Sequence, residues 1–465
     1  MLSVARKRVP KKSSALFEQP AIWHSLIHAA LKSVDPKRLV HRYFRIDRNF
    51  LSIGRSRYDL KKDRAIYVIG AGKASASMAT ALEEILGGRI TAGLVIVPYG
   101  YGTGTHRIHL HEAGHLIPDQ AGLIAGQKML RLIGRSGPED LIIALWSGGA
   151  SALLPAPVKG VSLEGKKRIT QLLLKSGATI QEINSVRKHL SRIKGGQLIR
   201  SLSPRQIVSL ILSDVKDNRL DVIASGPTVP DPSSYGEAIR ILKQHGLWVE
   251  TPKRIKTHLE RGDRGDILET PKHGYPGLSH IQNLMIGDNH LAVDAVARQA
   301  ERQGFHVWVW PAFIEGEARE VAGQFVKLAR KVHQTGCPVA KPACLIGGGE
   351  TTVTVRGSGK GGRCQEFVLA AVKGIRNLKK TVILAFGTDG MDGTQPRGHL
   401  RGGHLSAAGA FADDTTLTRA KTMGLDPQTF LADNDSYSFF KTLGDQIITG
   451  PTHTNVNDLY LMLVF

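Results

Sequence analysis

Lys73, Asp214 and Arg363 each stand in a glycine turn or at a strand end, settings in which a charged side chain can meet a ligand. Lys73 lies in the turn Gly70-Ala71-Gly72-Lys73-Ala74, between an apolar run and a helical pattern. Such a glycine turn lets backbone N–H groups and a helix start face an anion, and Lys73 adds a full charge. The spacing is neither a Walker A loop nor a complete GxGxxG, so a tight turn with a solvated lysine is the alternative. Asp214 ends the run IVSLILSDV, with Asp217, Asp221 and Ser225-Gly226-Pro227-Thr228 following closely. A carboxylate there can hold Mg²⁺ or take the proton of an attacking hydroxyl, and capping the next helix is its plainer use. Arg363 stands in Gly361-Gly362-Arg363-Cys364-Gln365-Glu366, where its planar fork could neutralise charge developing on phosphoryl oxygens or simply decorate a surface turn.

Further groups accompany these three. Ser147-Gly148-Gly149-Ala150-Ser151 can bring backbone close to a phosphate and donate from its hydroxyls, and Gly347-Gly348-Gly349-Glu350-Thr351 is a second glycine loop. Gly70, Gly72, Ser147, Gly148, Gly149, Ser151, Gly348, Gly349 and Glu350 are therefore the expected nucleotide- or phosphate-binding positions. A serine nucleophile would need a GxSxG elbow with a positioned His and acid, and the elbow is absent. In NSVRKHLSRIKGG (184–196), helical spacing puts Arg187, Ser191 and Lys194 on one face, which suits the carboxylate or phosphate of a substrate, although most such charge runs are solvated. Asp389, in Thr388-Asp389-Gly390-Met391-Asp392-Gly393, joins Asp214 as a candidate metal ligand or merely forms a turn.

These residues must be positioned by the runs that precede them. AIYVIGAGKA, LIIALWSGGAS, IVSLILSDV, LMIGDNH, ACLIGGGET and VILAFGTDG are of strand length, rich in β-branched residues and ended by glycine or acid. Unalternating apolar runs separated by helices predict a mainly parallel sheet covered on both faces, with ligands beyond the carboxyl ends of its strands. Helices are expected over Ala21–Val34, Ala74–Leu86, Leu291–Gln303 and Glu317–Thr335. The charged, Gly- and Pro-containing text after Leu247 predicts a domain junction. The expected divisions are a basic leader over 1–20, an N-terminal α/β domain over 21–260, a junction over 261–280 and a C-terminal α/β domain over 281–465.

The chain has 465 residues, too many for one ordinary core, so two domains are expected. Its three cysteines, Cys337, Cys344 and Cys364, lack redox or zinc spacing and are read as reduced thiols of a cytoplasmic protein. No apolar run reaches the ~18 residues of a membrane span. The net charge of +22 raises the question of nucleic acid, but the basic residues beyond the leader are dispersed and no recognition motif organises them, so no specific nucleic-acid partner is expected. The leader is Ser- and Lys-containing and acid-poor, as in presequences, but Pro10 and Lys11-Lys12 interrupt any amphipathic helix.

The blocks VIGAGKASASMA, EAGHLIPDQAG, SGGASALLPAP, SGATIQEINSVRKHLSRIKGGQL, LDVIASGPTVPD, LIGGGETTVTVRGSGKGGRCQEF, FGTDGMDG and GPTHTNVNDL, in this order, resemble the glycerate 2-kinase family over about Ala21 to Phe465. The resemblance implies a Rossmann-like N-terminal domain, a C-terminal MOFRL-type domain and an active site in the cleft between them. It also implies ATP and Mg²⁺, D-glycerate as acceptor and 2-phosphoglycerate as product, with Lys73, Asp214 and Arg363 as the principal catalytic positions. A homodimer is among the assemblies it leaves open. Ala150, Cys364 and His453 depart from the family text, where Gly, Asn and Gly are expected, and a basic loop at 394–406 is longer than the pattern. An NAD(P)-linked hydroxy-acid oxidoreductase is the second enzymatic reading. It lacks the third fingerprint glycine and a clear ribose-binding acid ~20 residues on.

Overall fold

All six apolar runs are strands, and where each one stops decides what the molecule can do. The computed structural model describes residues 20–60, 64–202, 205–393 and 406–465; the basic leader through residue 19 and the basic loop over 394–405 lie outside them. The chain divides into two compact units. One is continuous, Pro36–Gly287, and the other is split, pairing residues up to Asp35 with Asp288–Phe465.

In the continuous unit, a small antiparallel sheet of β1 (Phe44–Asp47), β2 (Phe50–Ile53) and β3 (Ser56–Asp59) precedes a six-stranded parallel sheet. Its strands are β4 (Ile66–Ala71), β5 (Ile90–Pro98), β6 (Ile108–Ala113), β7 (Leu141–Trp146), β8 (Gln206–Leu212) and β9 (Ile281–Gly287), ordered β6-β5-β4-β7-β8-β9. This is the Rossmann order, in which the chain turns back between β4 and β7 and leaves a crevice at their carboxyl ends. Every residue of β4 and β7 is buried, as their unbroken apolarity requires. Helices Ser75–Leu86 and Gln120–Ile133 pack on the sheet, the second started by Asp119, whose side chain accepts from the Gly122 N–H at 2.9 Å. Such a cap contributes about 1 kcal/mol.

The split unit holds β10 (His306–Val309), β11 (Ala343–Gly349), β12 (Thr381–Gly387), β13 (Gly409–Asp413), β14 (Gln446–Ile447) and β15 (Asp458–Val464), ordered β10-β11-β15-β12-β13-β14. Only β10 and β11 pair in parallel; β15 runs antiparallel between β11 and β12. The mainly parallel sheet expected of the N-terminal domain is that of the continuous unit, and the sheet of the split unit is mixed. Strand direction leaves no trace in apolarity, because β15 is buried on both faces just as a parallel strand would be. Since β11 and β12 both oppose β15, they point the same way, and Gly349 and Gly387 both pair with Asp458.

Two boundaries differ from the sequence reading. The segment 261–280 lies inside the continuous unit, because β9 completes the parallel sheet beside β8. The opening helix Pro20–Ser33 belongs to the split unit: Leu26, Ile27 and Ala30 are buried as it packs on helix Asn289–Arg302. Among the described residues no helix is long and apolar enough to cross a membrane.

Candidate active site

The crevice between β4 and β7 is where the first two glycine turns meet. Gly72 takes φ +138°, and a Cβ there would collide with Ser147, so the turns touch backbone to side chain. The Gly72 N–H donates to the Ile96 carbonyl (3.0 Å), the Lys73 N–H to the Gly148 carbonyl (2.9 Å) and the Ala74 N–H to Ser147 Oγ (3.0 Å). Ser75 Oγ lies 3.1 Å from Ser147 Oγ. The amides expected to cradle a phosphate thus donate to the protein itself. Gly70, Gly72, Ser147 and Gly148 lock the two turns together, and the Lys73 backbone N–H is part of that lock. Asp214 follows β8, the strand beside β7, at the same carboxyl edge and is half-buried.

Beyond these turns opens a cavity of about 340 Å³ within the continuous unit. Gly149 and Ser151 line it together with His115, Lys166, Arg187 and Lys194, and among the described residues no Asp or Glu does. Arg187 Nη2 and Lys194 Nζ both donate to the Ser151 carbonyl, at 3.2 and 2.9 Å, while Lys166 Nζ donates to the Leu190 carbonyl at 3.2 Å. Burial, reinforced by Arg187, pushes Lys166 down to about 7; burial and then Arg187 and Lys166 hold Lys194 well below the ordinary lysine range; burial lowers Arg187 as well. Neighbouring Lys188 is different, since Asp231 (3.2 Å) and Asp221 (3.6 Å) neutralise it. The sequence reading paired Arg187 with Lys194 by helical spacing, but the helix Ile180–His189 ends before Ser191 and Lys194. The chain leaves the helix at Leu190, and Lys194 nonetheless meets Arg187 at the Ser151 carbonyl.

The C-terminal turns of the split unit surround Arg363. Its Nε and Nη2 grip Asp458, the latter at 3.1 Å, and its Nη1 donates to Glu350 at 2.5 Å. Glu350 also accepts from Asn457 (2.7 Å), and Asp458 from the Tyr460 hydroxyl (3.1 Å). Burial opposes the charge on Arg363, but Asp458 and then Glu350 outweigh it and raise its pKa; burial pushes Asp458 up to about 6 against the pull of Arg363, so the pair is ionised at neutral pH. Two N–H groups of the guanidinium are left over from these three bonds and can be offered to an anion. Glu350, expected at a phosphate, faces a cation. Gly348 and Gly349, expected beside it, serve packing: a Cβ on the first would strike Asn289 and one on the second the Ile314 backbone.

Asp392 receives the Cys364 and Gln365 N–H groups (3.0 and 2.8 Å), so it caps helix Arg363–Ile375. Asp389 accepts from the Met391 N–H at 3.0 Å in a local turn. Among the described residues no group of three His, Cys, Asp or Glu could hold a metal ion. Sequence reasoning missed Lys166 and Asp458. Lys166 had a signal, since it falls with Leu163, Ile169 and Leu173 on the buried stripe of one helix.

Residues 22–260 match a family model described as a domain of unknown function, DUF4147, and residues 343–458 match the MOFRL family. The chain is 39% identical to a glycerate 2-kinase of Pyrococcus horikoshii, over 94% of this chain and 96% of that one. It is 38% identical to an Agrobacterium vitis protein with the provisional name hydroxypyruvate reductase, over 85% and 86% of the two. A crystal structure of glycerate kinase from Thermotoga maritima superposes with a TM-score of 0.82 at 36% identity, covering 96% of this chain and 99% of that one. With two domain models matched in order and likeness along nearly its whole length, the chain belongs to the glycerate 2-kinase family.

Proposed function

We propose that the protein transfers the γ-phosphoryl group of ATP to the 2-hydroxyl of D-glycerate, giving 2-phosphoglycerate and ADP. The observation that carries this is likeness to a glycerate 2-kinase over nearly the full length of both chains. The geometry agrees, because the continuous unit gathers buried cations with no acid in their cavity, as a site for anionic substrates would. Asp214 takes the hydroxyl proton, the 2-oxygen bonds to phosphorus, and the bond from phosphorus to the β–γ bridging oxygen breaks to leave ADP. Lys73 and Arg363 stabilise the charge that spreads over the phosphoryl oxygens. Asp214 or Asp389 would hold a Mg²⁺ carried by the polyphosphate, which would neutralise part of the phosphate charge and needs one or two carboxylates rather than a prebuilt cage. Arg187 and Lys194 bind the anionic part of a substrate.

The name of the Agrobacterium relative raises the reductase reading, and the β4 turn argues against it. A dinucleotide pyrophosphate needs the amides at the start of helix Ser75–Leu86, and those of Lys73 and Ala74 are engaged by Gly148 and Ser147. A cytoplasmic location and a homodimer belong to the same proposal; fractionation and light scattering test them. Incubation with ATP, Mg²⁺ and D-glycerate, read by phosphorus NMR, is expected to yield 2-phosphoglycerate. NADH oxidation by hydroxypyruvate without phosphorylation would replace the kinase reading with the reductase.

A further inference from the structure

Three features of the cavity in the continuous unit belong to a ligand larger and more highly charged than glycerate. The first is charge: Lys166 and Lys194 are 6% and 1% exposed, Arg187 is half-buried, and among the described residues each side chain donates only to a backbone carbonyl. Buried cations without an acid are costly, and a bound polyanion removes that cost in a way one carboxylate cannot. The second is exposed apolar surface: Leu116, Ile117, Leu174 and Ile180 line the cavity and are between 51% and 80% exposed. Glycerate carries an oxygen on every carbon and has nothing to bury there. The third is size, since about 340 Å³ lies within the range that holds drug-sized ligands.

We propose that this cavity is the seat of the donor nucleotide, its phosphates on Lys166, Arg187 and Lys194 and its flat base against Leu116, Ile117, Leu174 and Ile180. Lys166 is then a nucleotide-binding residue. Gly149 stands in the cavity wall, and a Cβ on it would lie 3.7 Å from Lys73 Cγ, so the lysine stem borders the same space and the phosphate end of the nucleotide comes to it. The assignment rests on the kinase reading for its choice of nucleotide, and its test is kept separate from turnover.

ADP is titrated calorimetrically into the full-length wild type, Lys166→Gln and Ile180→Asp, and KM is measured for ATP and for D-glycerate. Ile180 is exposed, so its variant folds even where the buried lysine variant does not. Both substitutions are expected to weaken ADP binding by about tenfold or more and to raise KM for ATP alike, with KM for glycerate changed by less than about twofold. A raised glycerate KM with unchanged ADP binding would give the cavity to the acid and overturn the proposal, as would no change in either. ADP binding that is lost in the variants, from a wild type that makes no phosphoglycerate, would leave the cavity a nucleotide site and remove the glycerate reaction.

Discussion

Arg363 is held by two carboxylates, Asp458 and Glu350, and that makes its proposed contribution to rate separable from its contribution to stability. Arg363→Ala leaves Asp458 buried beside Glu350 and Asp392 without a cation, so the expected outcome is a lower melting temperature together with a turnover reduced by several powers of ten. Adding Asp458→Asn removes the orphaned charge; thermal scans should then show stability partly restored, while initial rates stay low. Lys73→Ala is expected to reduce turnover on a similar scale without the loss of stability. If Lys73 and Arg363 act on the same phosphoryl group, the double variant will be little slower than either single one in the same assay. Lys166 makes a pH prediction. With its pKa near 7 and Arg187 and Lys194 facing it, Lys166 sheds its proton as pH rises through neutrality. ADP affinity should therefore fall from about pH 6 to pH 9, and calorimetry on Lys166→Gln should show a flatter profile, the remainder coming from Lys194. The sequence exposed Lys73, Asp214 and Arg363 because each sits against glycine or a strand end. It hid Asp458, which looks like any acid opening an apolar run until two strand ends close on it.

At the scale of elements, the two turns at β4 and β7 behave as one device. Gly72 combines a positive φ with contact against Ser147, so Gly72→Ala strains the backbone and pushes the turns apart at once. A loss of about 2 kcal/mol or more is expected from the urea midpoint, with phosphorylation impaired because Lys73 moves with the turn. The six strands that end in glycine or acid were legible because their periodicity and their punctuation agree. Strand β15 lay in view as DLYLMLVF, but an apolar run without alternation cannot be told from a buried helix by periodicity. The stretch Arg187–Lys194 misled for a related reason: helical spacing was counted across Leu190, where the helix stops, and tertiary contact with Ser151 brought the two cations together by another route.

Across the whole molecule, the same excess of positive charge that suggested nucleic acid is spread along the chain, with three of its members buried around one cavity. Charge also ties distant text together. Glu269 lies in the stretch read as a junction, yet it meets buried His189 at 2.8 Å and the Tyr235 N–H at 2.9 Å. Burial opposes its ionisation, but the bond to His189, the Tyr235 amide and further contacts prevail and bring its carboxyl down to about 2. A depressed carboxylate contributes stability above its unfolded pKa and loses it as pH falls toward the folded value. The melting-temperature gap between wild type and Glu269→Gln should therefore be widest near neutrality and close between about pH 4.5 and pH 2. The 261–280 stretch reads as a linker by composition, but Glu269 and Lys272 bond to His189, Tyr235 and Ser233, partners that no local window contains.

The helix Pro20–Ser33 is synthesised long before the helix that covers it. Its partner helix, Asn289–Arg302, leaves the ribosome only after every residue of the continuous unit, and the Thr454 hydroxyl that closes on the Val34 carbonyl comes later still. Through most of translation the apolar side of that helix has nothing to cover it, while Pro36–Gly287 already has all the strands of its own sheet. A gene cut after Gly287 would thus deliver a complete parallel sheet carrying an uncovered apolar helix at its head, whereas a gene running from Pro36 to Gly287 would deliver the sheet alone.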